Sequence, residues 1–424
     1  MSSLPVSFFA ILIATFLTDL LTYAALSKFA GLDSFPATLT AVLVAGLVAL
    51  MLTAQGRRPA LIVAALALLW LMVAALGVAR GMELLGGGWP VKLVLAALLA
   101  LVTPTVLRRL LPAQPGRAAG WGGLGISALA ACALVLIPQT DSGADLRPAY
   151  AEKRRPPDSP LRVYHLGHSL VGRDMPAMLA QLSGEDYRYE QQLGWGTSLR
   201  EHFEPDLTIN GFTEENNTPR FRAAHEALAS GEYDAFIMTE MVTLKDAIRY
   251  HDSSRYAAKW AAEAVAGNPD IQIFLYETWH RLDEQPEWLA RLGPDLELWS
   301  GKLLFPASRA VGRPVYLIPA GQVMARLVSE VEATPGGIGG MTSREQLFAM
   351  APDGTRDPIH LNDLGAYLVA LTHYAVLQAK SPIGLPHALM RADGTPATAL
   401  SPELAGRMQE IVWQVVQEMD LTGI

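Results

Sequence analysis

The chain has 424 residues, with 33 lysines and arginines against 41 aspartates and glutamates, for a formal net charge of −8. That acidic balance excludes a general electrostatic attraction to nucleic acid, and the length permits two or three domains. The single cysteine, Cys132, lies inside an apolar run, so no intrachain disulfide is possible.

Nearly all the long apolar runs fall in the first third of the chain. They cover residues 6–29, 36–54, 59–78, 90–111 and 119–137. Each is about 19–24 residues long, enough to cross a hydrocarbon core of about 30 Å at about 1.5 Å per residue. The pattern predicts an α-helical membrane domain of about five transmembrane helices over residues 1–138. A cleavable signal peptide fits poorly, because the first run lacks a basic start and further apolar runs follow it. Arg57 and Arg58 in the second loop, and Arg108, Arg109 and Arg117 in the fourth, mark those loops as cytoplasmic. Lys28, Arg80 and Lys92 on the other side dilute that signal. The expected placement is a multi-pass protein of the cell (inner) membrane, with the lipid bilayer as a partner and the C-terminal domain periplasmic or extracellular. Asp19, inside the first run, is either a functional acid or a residue facing a neighbouring helix.

Residues 139–160 read as a linker. They hold Ser, Gly, Asp and Pro, a basic cluster at Lys153, Arg154 and Arg155, and no apolar periodicity, which suits a solvated tether.

From residue 161 short β-rich runs alternate with helical stretches. Strands are predicted at 161–166, 187–193, 234–239, 271–276 and 314–318. Helices are predicted near 175–183, 220–230, 254–266, 286–310 and 322–333, then after Asn362 and at 402–419. Strands separated by helices imply an α/β fold with a parallel five-stranded sheet and helices on both faces. Sites in such folds form at the carboxyl ends of the strands.

Those ends carry chemistry. After the first strand comes Gly167-His168-Ser169-Leu170, a tight turn that can present a serine hydroxyl above the sheet. After the second comes Gly194-Trp195-Gly196-Thr197-Ser198, where glycine lets a backbone N–H approach a substrate. Thr239-Glu240 follows the third and Thr278-Trp279-His280 the fourth. Beyond the fifth, Asp357 and His360 are three apart, on a short loop ahead of a helix that Asn362 can cap. Imidazole can take a serine proton while a carboxylate fixes its tautomer, so nucleophile, base, orienter and oxyanion donors share one rim. There is no Walker-type loop, no dinucleotide fingerprint and no cluster with metal-ligand spacing, so neither cofactor nor metal is expected.

Residues 161–377 resemble the SGNH/GDSL hydrolase superfamily. The Gly167-His168-Ser169-Leu170 turn, Gly196 and the Asp357–His360 pair match three of its sequence blocks. The resemblance implies a three-layer, flavodoxin-like α/β/α domain over residues 161–424, with Ser169 as nucleophile, His360 as base and Asp357 as orienter. It also implies Gly196 as an oxyanion donor. The run 357–374 is similar to a bacterial branch with a His-x-x-x-x-Gly-Ala-Tyr-Leu pattern. Two departures stand out. His168 replaces the usual acidic or amide residue, and Thr239-Glu240 replaces an asparagine that supplies a second oxyanion donor. His168, Thr239, Glu240 and Trp279 are accordingly expected near substrate.

The expected function is a membrane-anchored serine esterase. Its substrate would be an acylated small molecule or an acetylated envelope or extracellular glycan. The alternatives are an O-acetyltransferase for an extracellular polysaccharide, and a catalytically weakened protein that binds a glycan or a partner.

Overall fold

The fold is described from a computed structural model, covering residues 141–154, 156–157, 161–284, 287–351 and 353–424. The predicted membrane segments and Asp19 lie outside the described residues. Among the described residues no helix is long and apolar enough to cross a membrane.

Five parallel strands form the main sheet: β1 (Leu161–His168), β2 (Tyr187–Gly194), β3 (Ala235–Met238), β4 (Gln272–Glu277) and β5 (Tyr316–Pro319). Their order is β2-β1-β3-β4-β5. The predicted strands are therefore present, with ends shifted by a residue or two. β1 is buried along almost its whole length, as a central strand covered on both faces must be.

Side chains alternate between two cores because successive residues of a strand face opposite ways. Val163, Ile237, Phe274 and Ile318 face one layer, built on helices Asp174–Ser183, Ala320–Ala333, Asp363–Gln378 and Pro402–Glu418. Tyr164, Phe236, Leu275 and Leu317 face the other, built on helices Ser253–Gly267 and Phe305–Val311. The order matters for function. β1 has β2 on one side and β3 on the other, so the chain leaves β1 in one direction and β3 in the other, opening a crevice above β1.

Four expectations change. The helix predicted at 220–230 is confined to Ala224–Ala229, because residues 220–222 instead pair with the outer edge of β2 through Gln191. The stretch predicted as one helix at 286–310 is two helices, Trp288–Leu298 and Phe305–Val311, joined by a π-helical turn at Trp299–Leu304. Part of the expected tether is packed. Tyr150 is buried and donates to the Val315 carbonyl oxygen, and Arg154 lies over the rings of Phe274 and Tyr316 while bonding the Gln272 side chain. Long-range aromatic partners, invisible from the local composition, hold this segment down.

Asp357 and His360 lie on a strand and not on a loop. β7 (Arg356–Leu361) pairs antiparallel with β6 (Phe348–Met350), Phe348 opposite Leu361. Asn362 then caps helix Asp363–Gln378, accepting from the amides of Leu364 and Gly365 at 2.9 and 3.2 Å. Its amide nitrogen donates to the Gln346 carbonyl at 2.8 Å and to the Phe348 carbonyl of β6 at 3.2 Å, tying ribbon and helix together.

Candidate functional site

Ser169 follows the last residue of β1 on a turn closed by the Val171 amide, which donates to the His168 carbonyl at 2.9 Å. The turn leads into helix Asp174–Ser183. The ribbon delivers His360 from the far end of the chain, with its Nε2 2.9 Å from Ser169 Oγ. On the other side of the ring, Nδ1 lies 2.9 Å from Asp357 Oδ2. A carboxylate only accepts, so Nδ1 carries the proton and Nε2 accepts from the serine hydroxyl.

Asp357 is itself held. Its Oδ1 accepts from the amides of Ile359 and His360 at 2.9 and 2.8 Å. Partial burial pushes its pKa up, but these amides and the His360 ring outweigh that and hold it below the ordinary carboxylate range. The orienter thus stays ionised at neutral pH. Two bonds from the loop after β4 fix the ribbon: Trp279 Nε1 donates to the Ile359 carbonyl at 2.8 Å, and the Leu282 amide to the Pro358 carbonyl at 2.9 Å.

Ser169, His360, His168 and Gly196 line one open cleft of about 670 Å³, along with Trp195 and Arg173. Register explains why Gly196 is there. His168 pairs with Gly194, so Ser169 and the Trp195–Gly196 turn leave adjacent strands at the same level. Gly196 has φ +56°, the left-handed region that suits glycine. Among the described residues neither the Ser169 nor the Gly196 amide has a protein acceptor, so both are free to serve an oxyanion.

The other expected contact residues are placed differently. His168 borders the cleft, but its ring is spent on structure: Nε2 donates to the Glu240 carbonyl at 2.9 Å and Nδ1 accepts from the Leu170 amide at 3.3 Å. Burial lowers its pKa to about 4, so it is neutral at physiological pH. Thr239 is buried and donates its hydroxyl to the Tyr276 carbonyl at 2.8 Å, so it offers nothing to an oxyanion. Trp279 is also buried and acts on the ribbon, as above. Glu240 is fully buried, its Oε1 accepting from the Leu199 and Met241 amides at 3.1 and 2.8 Å. Burial raises its pKa to about 7. It therefore does not face the oxyanion; it anchors the start of the short helix Leu199–Phe203, directly after the Gly196 loop.

Sequence reasoning missed several supports. Ser198 and Glu201 form a capping box, which the Ser-x-x-Glu spacing announces. His202 is buried with Nε2 2.7 Å from the Gly167 carbonyl, and Asn216 brackets the Leu193 backbone with bonds of 3.0 and 2.8 Å. No local pattern signals the last two. Among the described residues no three or more His, Cys, Asp or Glu side chains are grouped to hold a metal ion.

No protein-family model matches the sequence, and neither does any curated protein. Among solved structures, the chain is similar to a DUF4886 family protein from Bacteroides uniformis, at 14% identity and TM-score 0.40, over 61% of this chain and 96% of that one. It is also similar to the native aryl esterase of M. smegmatis, at 12% identity and TM-score 0.27, over 52% of this chain and 99% of that one. Similarity of this degree carries no conclusion about activity.

Proposed function

We propose that the C-terminal domain is a serine esterase of SGNH/GDSL type that cleaves an acyl ester, with acetyl as the expected acyl group. The observation that carries this reading is the hydrogen-bonded series Asp357–His360–Ser169, with both links at 2.9 Å and its serine end in an open cleft. Ser169 Oγ attacks the ester carbonyl carbon as His360 Nε2 takes its proton. The carbonyl oxygen becomes an oxyanion facing the Ser169 and Gly196 amides. His360 then returns the proton to the departing alkoxide, leaving an acyl-enzyme. Water attacks that ester with His360 again as base, which releases the carboxylic acid and restores the serine. In the same reading, residues 1–138 anchor the domain to a membrane and hold it outside the cytoplasm.

Acyl transfer is the second reading. The His360 side chain is 45% exposed in the open cleft, so an acceptor hydroxyl can stand where water would. Activity of the full-length chain on a chromogenic acetyl ester, with and without an added sugar acceptor, separates the two. Release of acetate that the acceptor does not divert supports hydrolysis, and acetylated acceptor as main product supports transfer. No release in either condition, with the fold intact, leaves a binding protein.

A further inference from the structure

Trp195 is buttressed on the rim of the cleft, yet about half of its surface, 51%, remains exposed. Large aromatic side chains bury about 150–250 Å² when covered. The exposed half of Trp195 is apolar ring surface that a ligand in the cleft can cover.

Its position is fixed from three directions. The Trp195 amide donates to the Asn210 carbonyl at 2.7 Å. Its indole Nε1 donates to Glu215 Oε1 at 2.8 Å. Part of the ring rests on Gly211, where an added Cβ would stand 2.2 to 2.5 Å from the indole atoms Cδ2, Cε2 and Cγ. Gly211 also has φ +66°, so backbone and contact both require glycine. Glu215 in turn lies 4.0 Å from Arg173, which bonds the Glu214 carbonyl. Both Glu215 and Arg173 line the same cleft as Ser169 and His360.

A rigid aromatic surface, bare to solvent and bordered by a carboxylate and a guanidinium, suits a ligand with one apolar face and a polar rim. A pyranose ring has that character: its C–H face stacks on an aromatic ring, while its hydroxyls stay in water or bond charged groups. A flat apolar ring gains most from burial on both faces, and an open cleft does not supply that. We infer that Trp195 is the stacking platform for the sugar ring of a carbohydrate ester, whose acyl group reaches Ser169 while Glu215 and Arg173 meet its hydroxyls. The inference rests on the esterase reading for the acyl group and on Trp195 itself for the sugar.

The test uses the full-length chain and O-acetylated cellobiose as the probe. Binding is measured by calorimetry in the Ser169→Ala background, which removes turnover. Adding Trp195→Ala should weaken binding at least tenfold, and Trp195→Phe, which keeps a ring face but lacks the indole N–H, should recover most of it. Equal binding with and without Trp195 overturns the inference. So does failure of the Ser169→Ala chain to bind this probe when the unmodified chain hydrolyses 4-nitrophenyl acetate; the esterase reading then survives alone. Binding that depends on Trp195, in a chain that hydrolyses no ester, supports the sugar platform and removes the esterase reading.

Discussion

His360 Nε2 stands 2.9 Å from Ser169 Oγ, although 191 residues separate the two in sequence. Two elements far apart in sequence create this contact: the turn after the central strand β1, and strand β7 of the small ribbon. Trp279 and the Asn362 cap bond the ribbon, so the site should be sensitive to residues outside the cleft.

Trp279→Phe removes the bond to the Ile359 carbonyl while keeping a buried aromatic ring. His360 should then lose its fixed position, and displacement of a catalytic group by about 1 Å can cost on the order of a hundredfold. The expected result is a fall in kcat of about ten- to a hundredfold with little change in KM for a small acetyl ester. An unchanged kcat would show that the ribbon holds without this bond.

Glu240 gives the fold a pH dependence. Its carboxyl has a folded pKa of about 7 against a reference value of 4.5, so the folded state holds the proton more tightly. The associated stability is present in full below about pH 4.5 and is lost as pH rises through 7. At about 1.36 kcal/mol per pKa unit the loss is on the order of 3 kcal/mol. Glu240→Gln keeps an acceptor for the Leu199 and Met241 amides and cannot ionise. Chemical denaturation at pH 5 and pH 8 should show a smaller difference between the two pH values in the variant than in the parent chain.

Tyr150→Ala tests whether the segment before β1 is docked. The change removes a buried ring, its bond of 2.7 Å to the Val315 carbonyl and its contact with Ser308. Large-to-small changes of this kind cost about 3–5 kcal/mol. A solvated tether would show almost no loss in the denaturation midpoint.

Placement outside the cytoplasm is tested by reporters fused after Leu146, in the expected external region. A reporter active only outside the cytoplasm should work there. Activity of a cytoplasmic reporter at the same point, with silence of the external one, would reverse the predicted topology.

The sheet was readable because β3, β4 and β5 are short, mainly apolar runs and all five strands alternate with helical stretches, and the Asn362 cap because its chemistry is local. The turns holding Ser169 and Gly196 were legible because both follow strands of the parallel sheet, whereas Asp357 and His360 reach the same cleft on the separate antiparallel ribbon. What escaped was set by distant partners. β6 is only three residues long and has no strand signature, so Asp357 and His360 looked like loop residues. Thr239 and Glu240 stood where a second oxyanion donor was expected, but Thr239 bonds Tyr276 across the sheet and Glu240 turns toward Leu199. Neither direction is encoded in the residues next to them.

The proposed esterase stands on Ser169 acting as a nucleophile that His360 activates. The most direct measurement is labelling of the full-length chain with a fluorophosphonate probe, followed by mass mapping of the modified residue. Modification is expected at Ser169, with no labelling in Ser169→Ala and nearly none in His360→Ala. Asp357→Asn should label much more slowly, by up to about 10⁴ in rate if it acts as the orienting carboxylate does in other relays. Labelling that persists in Ser169→Ala, or an intact, folded chain that takes up no label, would contradict this role of Ser169.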